Sequence, residues 1–417
     1  MNAIKRPTLE IGPESPRMGE HQKTRVLFVN GGILGLQSFS KYITEAMACD
    51  TEVEALHINL CQQMTLNERI VRRIMCAPLW PDGLFGLRNL DFARLRREYH
   101  AGLQARRRMR SFLARGIDVL HFHRTATAYA SLGVMRRVPA IISMDCTQDI
   151  VIQSARSGLE RWTYGANAAI DGRIFRAAAA IVSTSRWAAG CLRARYPDCD
   201  TPVHVMPPPV RLQFFDERWL DERDLRAQPD YLPRVLFVGG DFVRKGGDDL
   251  LAAWRSAELY RSARLILVTG WPVDVSAVPG VQVIRHVESY SAEWSDLWRA
   301  ADIFVMPTRD EAFGTVFQEA AAAGLARIGT RLNAIPETIA DGRSGMLIAP
   351  GDRAALALAM RTLIDSASLR RAFGAAARAD VVERASPDDY RDKLRGIIQS
   401  VAQCGATTRR AGAPPLT

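Results

Sequence analysis

Arg234-Val235-Leu236-Phe237-Val238-Gly239-Gly240 is a short apolar run ending on paired glycines, and the charged turn Asp241-Phe242-Val243-Arg244-Lys245-Gly246-Gly247 follows it. The next residues, Asp248 to Trp254, carry helical spacing. Strand, glycine turn and helix in that order open a doubly wound α/β domain. The same opening stands earlier, as Arg25-Val26-Leu27-Phe28-Val29-Asn30-Gly31-Gly32. Two domains of one type would explain the match; so would convergence, since any first strand of such a sheet looks similar. Further apolar runs follow in the first half, at Val53–Asn59, Asp118–Phe122, Ala140–Met144, Ala180–Ser183 and Val203–Met206, with helical patterns such as Leu159–Phe175 between them. Strands that are apolar throughout and alternate with helices argue for parallel sheets covered on both faces.

Length agrees with two units. A chain of 417 residues exceeds one ordinary core. Pro207-Pro208-Pro209 and the charged segment Arg211–Asp230 break the rhythm between the two openings. The expected division is a disordered tail over 1–22, one Rossmann-like domain over 23–210 and a second over 211–385. A helix over 386–402 would cross back to the first domain, and 403–417 reads as a second disordered tail. The polar, proline-broken start has no apolar signal-peptide core, and no stretch reaches the length of a membrane span. Seven scattered cysteines without a C-x-x-C pair make a disulfide framework or a structural zinc a poor expectation and a reducing cytoplasm the expected location.

The net charge of +10 is unevenly placed: residues 1–200 hold 28 Lys and Arg against 18 Asp and Glu, the remainder 27 against 27. The excess is densest at Arg94, Arg96, Arg97, Arg106, Arg107, Arg108, Arg110 and Arg115, on one long helical pattern. Two readings stay open for this run. One is a solvated helix face. The other is attraction to an anionic acceptor or to the inner face of the plasma membrane, worth about 1 kcal/mol per well-placed Arg. Nucleic acid is not expected, because the run lacks interleaved aromatics and no recognition module is present.

The chemistry concentrates in Asp310-Glu311-Ala312-Phe313-Gly314-Thr315-Val316-Phe317-Gln318-Glu319. Glu311 falls in a loop after the apolar run Ile303–Met306, and Glu319 falls inside the next helix, roughly 6–8 Å deeper along its axis. Two separated acids suit a polyol ligand gripped at two ends. They do not suit a hard cation, whose oxygens must converge on one point, and no metal is expected. The Gly239–Gly247 turn reads as an anion site, since a glycine turn before a helix N-terminus presents free N–H groups, and Arg244 and Lys245 add charge. It is not a Walker loop, and Gly31-Gly32-Ile33-Leu34-Gly35 lacks dinucleotide spacing. In Asp118-Val119-Leu120-His121-Phe122-His123, His123 lies nearer the strand's carboxyl end and is the better candidate, while His121 packs. Asp145 ends the next strand. Asp198-Cys199-Asp200 is read as a turn, and Asp248-Asp249 as an acidic first helical turn.

In order, these motifs resemble the retaining GT-B glycosyltransferases of family four. A basic glycine turn, E-x7-E with Phe-Gly inside it, Ile335-Pro336-Glu337 and Gly342-Arg343-Ser344-Gly345 run from Arg234 to about Asp352. The first half agrees more loosely, through Gly31-Gly32, the strand ending at His123, and Ser183-Thr184-Ser185-Arg186-Trp187. The resemblance implies two Rossmann-like domains facing across a cleft, an acceptor-binding domain over 23–210 and a nucleotide-sugar-binding domain over 211–385. It also implies transfer of a sugar from a UDP- or GDP-sugar to a hydroxyl, with retention and with no metal or other cofactor. The acceptor would be a saccharide, lipid-linked or small-molecule hydroxyl in polysaccharide, glycolipid or other glycoconjugate synthesis. Glu311 would bind donor-sugar hydroxyls, beside the N–H groups of Phe313, Gly314 and Thr315, and Glu319 the ribose. Arg244 and Lys245 would neutralise the diphosphate near Gly239 and Gly240, and the base would lie near Val287. Gly31 and Gly32 would admit the acceptor side, while His123 or Asp145 would aid positioning or proton transfer. Two departures stand out: Gly240 occupies a position where the family often has Arg, and Asn333-Ala334 stands where it usually has Gly-Gly. They keep an inactive nucleotide-sugar binder open as an alternative, beside a GT-B epimerase. A phosphorylase would need a pyridoxal lysine, and only Lys245 of the five lysines falls at the expected cleft. An NAD-dependent oxidoreductase is disfavoured by the glycine spacing.

Overall fold

The structure, a computed structural model, describes residues 23–31, 42–48, 50–60, 65–77, 92–153, 155, 157–226, 228 and 230–410. The segment 1–22, Gly32 and residues 411–417 therefore lie outside the described residues.

The apolar runs form two six-stranded sheets. The first contains β1 (Thr24–Asn30), β2 (Val53–Asn59), β3 (Val119–His123), β4 (Ala140–Met144), β5 (Ala180–Ser183) and β6 (Val203–Val205). Its order is β2-β1-β3-β4-β5-β6, parallel throughout. The second contains β7 (Arg234–Val238), β8 (Arg264–Val268), β9 (Val281–Ile284), β10 (Ile303–Val305), β11 (Ala326–Thr330) and β12 (Gly345–Ile348). Its order is β12-β11-β10-β7-β8-β9, again parallel.

Strand period explains the layering. Side chains alternate faces, so Leu27 and Val29 enter one core layer, with Leu120, Phe122 and Ile142. Val26 and Phe28 enter the other, with Val119 and Ile141. Helices Ala93–Leu113 and Gly158–Ala177 pack on the first layer. The second layer is closed by the last helix, Pro387–Arg410, through Tyr390, Leu394, Ile398 and Val401. Burying one such aliphatic side chain contributes about 1.5–3 kcal/mol, so the C-terminal helix is part of the first domain's core. It continues eight residues past Ala402, and 403–410 are helical rather than a disordered tail.

Both sheets contain a point where the strand order reverses, between β1 and β3 and between β7 and β10. Loops leaving the carboxyl ends of two such neighbours diverge to opposite faces and leave a crevice. The motif-bearing loops leave the sheets at these two places.

Candidate active site

In the second domain the β7 loop, Gly239–Gly247, and the β10 loop, Met306–Gly314, meet because β7 and β10 are hydrogen-bonded neighbours. Their approach is close. Gly246 has φ +75°, and a Cβ there would stand 2.0 Å from the Pro307 carbonyl oxygen. The Arg309 amide donates to the Arg244 carbonyl at 2.9 Å, and Arg244 Nη1 returns a bond to the Asp310 carbonyl at 2.6 Å. Arg244 also pairs with Asp241 at 3.2 Å, and its Nη1 lies 3.8 Å from Glu311. The Lys245 ammonium forms an ion pair with Glu311, both side chains 16 % exposed. Arg309 grips Asp248 and Asp249, and Asp249, itself buried, also holds Arg353 at 2.7 Å. The acidic first turn is thus a brace between loops as well as a helix start.

Glu311 is fixed from behind. Asn333 Nδ2 donates to its carbonyl at 2.9 Å, and the Ala334 amide to the Ala312 carbonyl at 3.3 Å. Asn333 has φ +49°, a left-handed conformation that Asn tolerates better than most residues. Here Asn333 takes a backbone shape that glycine would supply, and the loop contacts are made.

Gly314, at φ +77°, leads into helix Thr315–Ala322, whose N-terminus no side chain caps. Phe313 is buried ahead of it. Glu319 lies within the helix and accepts from Tyr290 Oη at 3.1 Å. Burial pushes the Glu319 carboxyl up to about 7, while the Tyr290 hydrogen bond and the Lys245 charge oppose that rise. Beneath the helix, the buried Arg327 donates to the carbonyls of Phe317 (3.2 Å), Thr338 (2.8 Å) and Ser344 (3.2 Å). Burial pushes its guanidinium down to about 9.

Gly239 lies against Lys245, with a built Cβ 3.2 Å from Lys245 Cγ, whereas a Cβ on Gly240 would enter open space. Val287 follows β9 and packs partly buried on the second core. A groove of about 800 Å³ beside helix Ala292–Ala300 contains none of the predicted site residues.

From the first domain, His123 and Asp145 line a narrow cleft together with Tyr390 of the last helix, and Thr315 of the second domain lines it as well. Burial pushes His123 down to about 4 despite the Asp145 charge, so its imidazole is neutral at neutral pH. His121 is buried one pleat back, with Nε2 2.7 Å from Ser143 Oγ. Gly31 abuts the end of β3: a Cβ there would lie 3.6 Å from the His123 carbonyl. Asp198 faces away as a surface partner of Arg176 at 2.7 Å. Glu337 spans the domains, accepting from the amides of Arg186 (3.0 Å) and Trp187 (2.7 Å) at the start of helix Arg186–Arg195.

Sequence reasoning missed Tyr290, Arg309 and the roles of Asn333 and Glu337. Asn333 and Glu337 carried a signal, as a left-handed-tolerant residue and as part of the Pro-Glu motif. Tyr290 and Arg309 carried none.

Residues 232–366 match the family model described as glycosyl transferases group 1, and residues 70–214 match the one described as glycosyltransferase family 4. The chain belongs to the group 1, family 4 glycosyltransferases. It is 28% identical to D-inositol 3-phosphate glycosyltransferase 1 of Catenulispora acidiphila over 69% of this chain and 73% of that relative. Its fold is that of sucrose-phosphate synthase from Thermosynechococcus elongatus, with a TM-score of 0.68 at 16% identity over 92% of this chain and 100% of the other. Anabaena Alr3699/HepE, solved in complex with UDP-glucose, superposes with a TM-score of 0.61 at 14% identity, over 90% of this chain and 99% of the other. The two-domain α/β architecture of this glycosyltransferase is GT-B.

Proposed function

We propose that this glycosyltransferase takes a sugar from a nucleoside diphosphate sugar and passes it to a hydroxyl acceptor with retention at the anomeric carbon, without a metal ion. The observation that carries the reading is the Lys245–Glu311 pair at the β7/β10 switch point, with Glu319 in the adjoining helix and His123 across the cleft beside Thr315. A diphosphate competes with Glu311 for Lys245, which frees the Glu311 carboxylate for sugar hydroxyls. Bond breaking puts negative charge on the leaving diphosphate. Lys245, Arg244 and the uncapped helix N-terminus stabilise that charge without rearranging, and in many enzymes such fixed charges and dipoles are the main source of rate acceleration. The acceptor proton passes to the leaving phosphate oxygen, so neutral His123 and Asp145 serve to position the acceptor. The structure of Alr3699/HepE with UDP-glucose supports a nucleotide sugar as donor.

A thermal-shift screen with UDP-, GDP- and ADP-sugars tests the reading, repeated on Glu319→Ala and Lys245→Ala. One donor class should stabilise the wild type, and each substitution should erase most of that shift. No stabilisation by any donor, or an unchanged shift in both variants, removes the proposal.

We further propose that the acceptor is presented at an anionic membrane surface, in glycolipid or other glycoconjugate synthesis. Helix Leu66–Cys76 exposes Leu66 (72 %), Ile70 (49 %) and Ile74 (65 %) on one face, with Arg69 and Arg73 beside them. That pattern suits a helix lying in a lipid interface. On the neighbouring helix, Arg94, Arg96 and Arg108 are engaged internally, with Gln148, the Met75 carbonyl and the Asn59 carbonyl, while Arg97, Arg107 and Arg110 are exposed. Among the described residues no helix is long and apolar enough to cross a membrane. Flotation with anionic liposomes should show binding that high salt weakens; no binding at low salt refutes this part.

A further inference from the structure

We infer that Arg211 and Tyr290 are positioning residues for the donor, joining the placement of the first domain to the orientation of Glu319. The inference rests on the proposed role of Glu319 in holding the nucleotide.

Arg211 lies between the two sheets and is 5 % exposed. Its Nη2 is 2.6 Å from Glu45 Oε2 on the first domain's helix 42–48. The same guanidinium stands 5.0 Å from the centroid of the Tyr290 ring, within cation–π range. Tyr290 in turn donates to Glu319 at 3.1 Å. Three residues therefore connect the first domain to a donor-site carboxylate.

Two features indicate a demanding arrangement. Tyr290 has φ +66°, a left-handed conformation rare for an aromatic residue, held by packing on Phe214 (5.0 Å) and Trp294 (4.6 Å). Arg211 Nε is buried without a hydrogen-bond partner, and leaving a buried donor unpaired costs free energy. A surface contact would require neither.

The physical effect is directional. Burial raises the Tyr290 phenol, and the Arg211 charge opposes that rise. A cation on the ring face draws electron density from the phenol and makes its O–H a stronger donor to the carboxylate. Lys245 is the charge acting directly on Glu319, while Arg211 acts on Tyr290. Because Glu45 holds Arg211, a shift of the first domain moves the cation off the ring and loosens Glu319. Donor affinity then depends on how the domains sit.

The test is calorimetric titration of the full chain with UDP and with GDP, in single and paired variants. Tyr290→Phe should weaken binding about fivefold, one hydrogen bond's worth, and should have no further effect in a Glu319→Ala background. Glu45→Gln should weaken binding about two- to threefold, less than one hydrogen bond's worth, and that loss should vanish beside Tyr290→Phe. Glu45→Gln keeps an amide oxygen that can accept from the buried Arg211 guanidinium, and melting temperatures verify that every variant is folded. Equal losses with and without Glu319 overturn the relay alone. A Glu319→Ala protein that binds nucleotide as tightly as the wild type overturns the site, and the relay with it.

Discussion

Acid should destabilise the first domain through two buried histidines. His121 and His123 on β3 are 1 % and 5 % exposed. Burial pushes them down to about 3 and about 4, His121 further lowered by His123 and His57, and His123 by Arg124 against the pull of Asp145. The sign follows from proton uptake. Between the folded values and the ordinary 6.5, the unfolded chain binds more protons, so stability rises with pH across that window and is lost as pH falls below 6.5. At pH 5 each histidine has removed about 2 kcal/mol. Asp171, buried in the same domain, acts oppositely. Burial raises it to about 6, and its protonation returns roughly 1 kcal/mol at pH 5. His121, His123 and Asp171 together give a loss of about 3 kcal/mol between pH 7.5 and pH 5, a large part of a domain's total stability, and His57 on β2, also pushed down to about 4 by burial, adds to it. Urea unfolding followed by circular dichroism at both pH values measures it. His121→Gln keeps an amide near Ser143 and removes the titration, so the variant should lose about 2 kcal/mol less on acidification. Parallel behaviour of variant and wild type would refute the argument.

Gly246→Ala places a Cβ 2.0 Å from the Pro307 carbonyl oxygen at φ +75°; the expected cost is about 2 kcal/mol or more in thermal melts, and the Lys245–Glu311 pair should separate. Arg327→Met strips the Phe317, Thr338 and Ser344 carbonyls of their donor. Denaturant unfolding should show a loss of about 3 kcal/mol, and an unchanged midpoint would mean that water replaces the guanidinium. Glu337→Ala removes the carboxylate from the start of helix Arg186–Arg195, a contact worth about 1 kcal/mol. Small-angle scattering should then show a larger radius of gyration as the domains separate.

Much of the site's chemistry was visible along the chain. Glu311 reads as a loop residue after an apolar strand and Glu319 as a helical one, and the structure has them in those places. Asn333 was legible as a departure from a glycine pair, but its remedy was not. Whether Asn adopts φ +49° and bonds the Glu311 carbonyl depends on a neighbour 22 residues away. Tyr290 and Arg211 carried no local signal, because their roles come from standing next to each other. The terminal helix shows the same limit. Its spacing marks a helix, yet only contact with β1, β3 and β4 reveals that Tyr390 and Leu394 complete the first domain's core.

By itself, then, the sequence determined the alternation of strands and helices, the two glycine-ended openings and the identity of the charged groups. These follow from side-chain periodicity and backbone preference over a few residues. Tertiary structure alone decided that β10 returns beside β7 and β3 beside β1. Strand order in a parallel sheet is set by where each crossover helix finds apolar surface to cover, a property of the whole core. That choice brings Lys245 to Glu311 across 66 residues, and it turns separate motifs into one site.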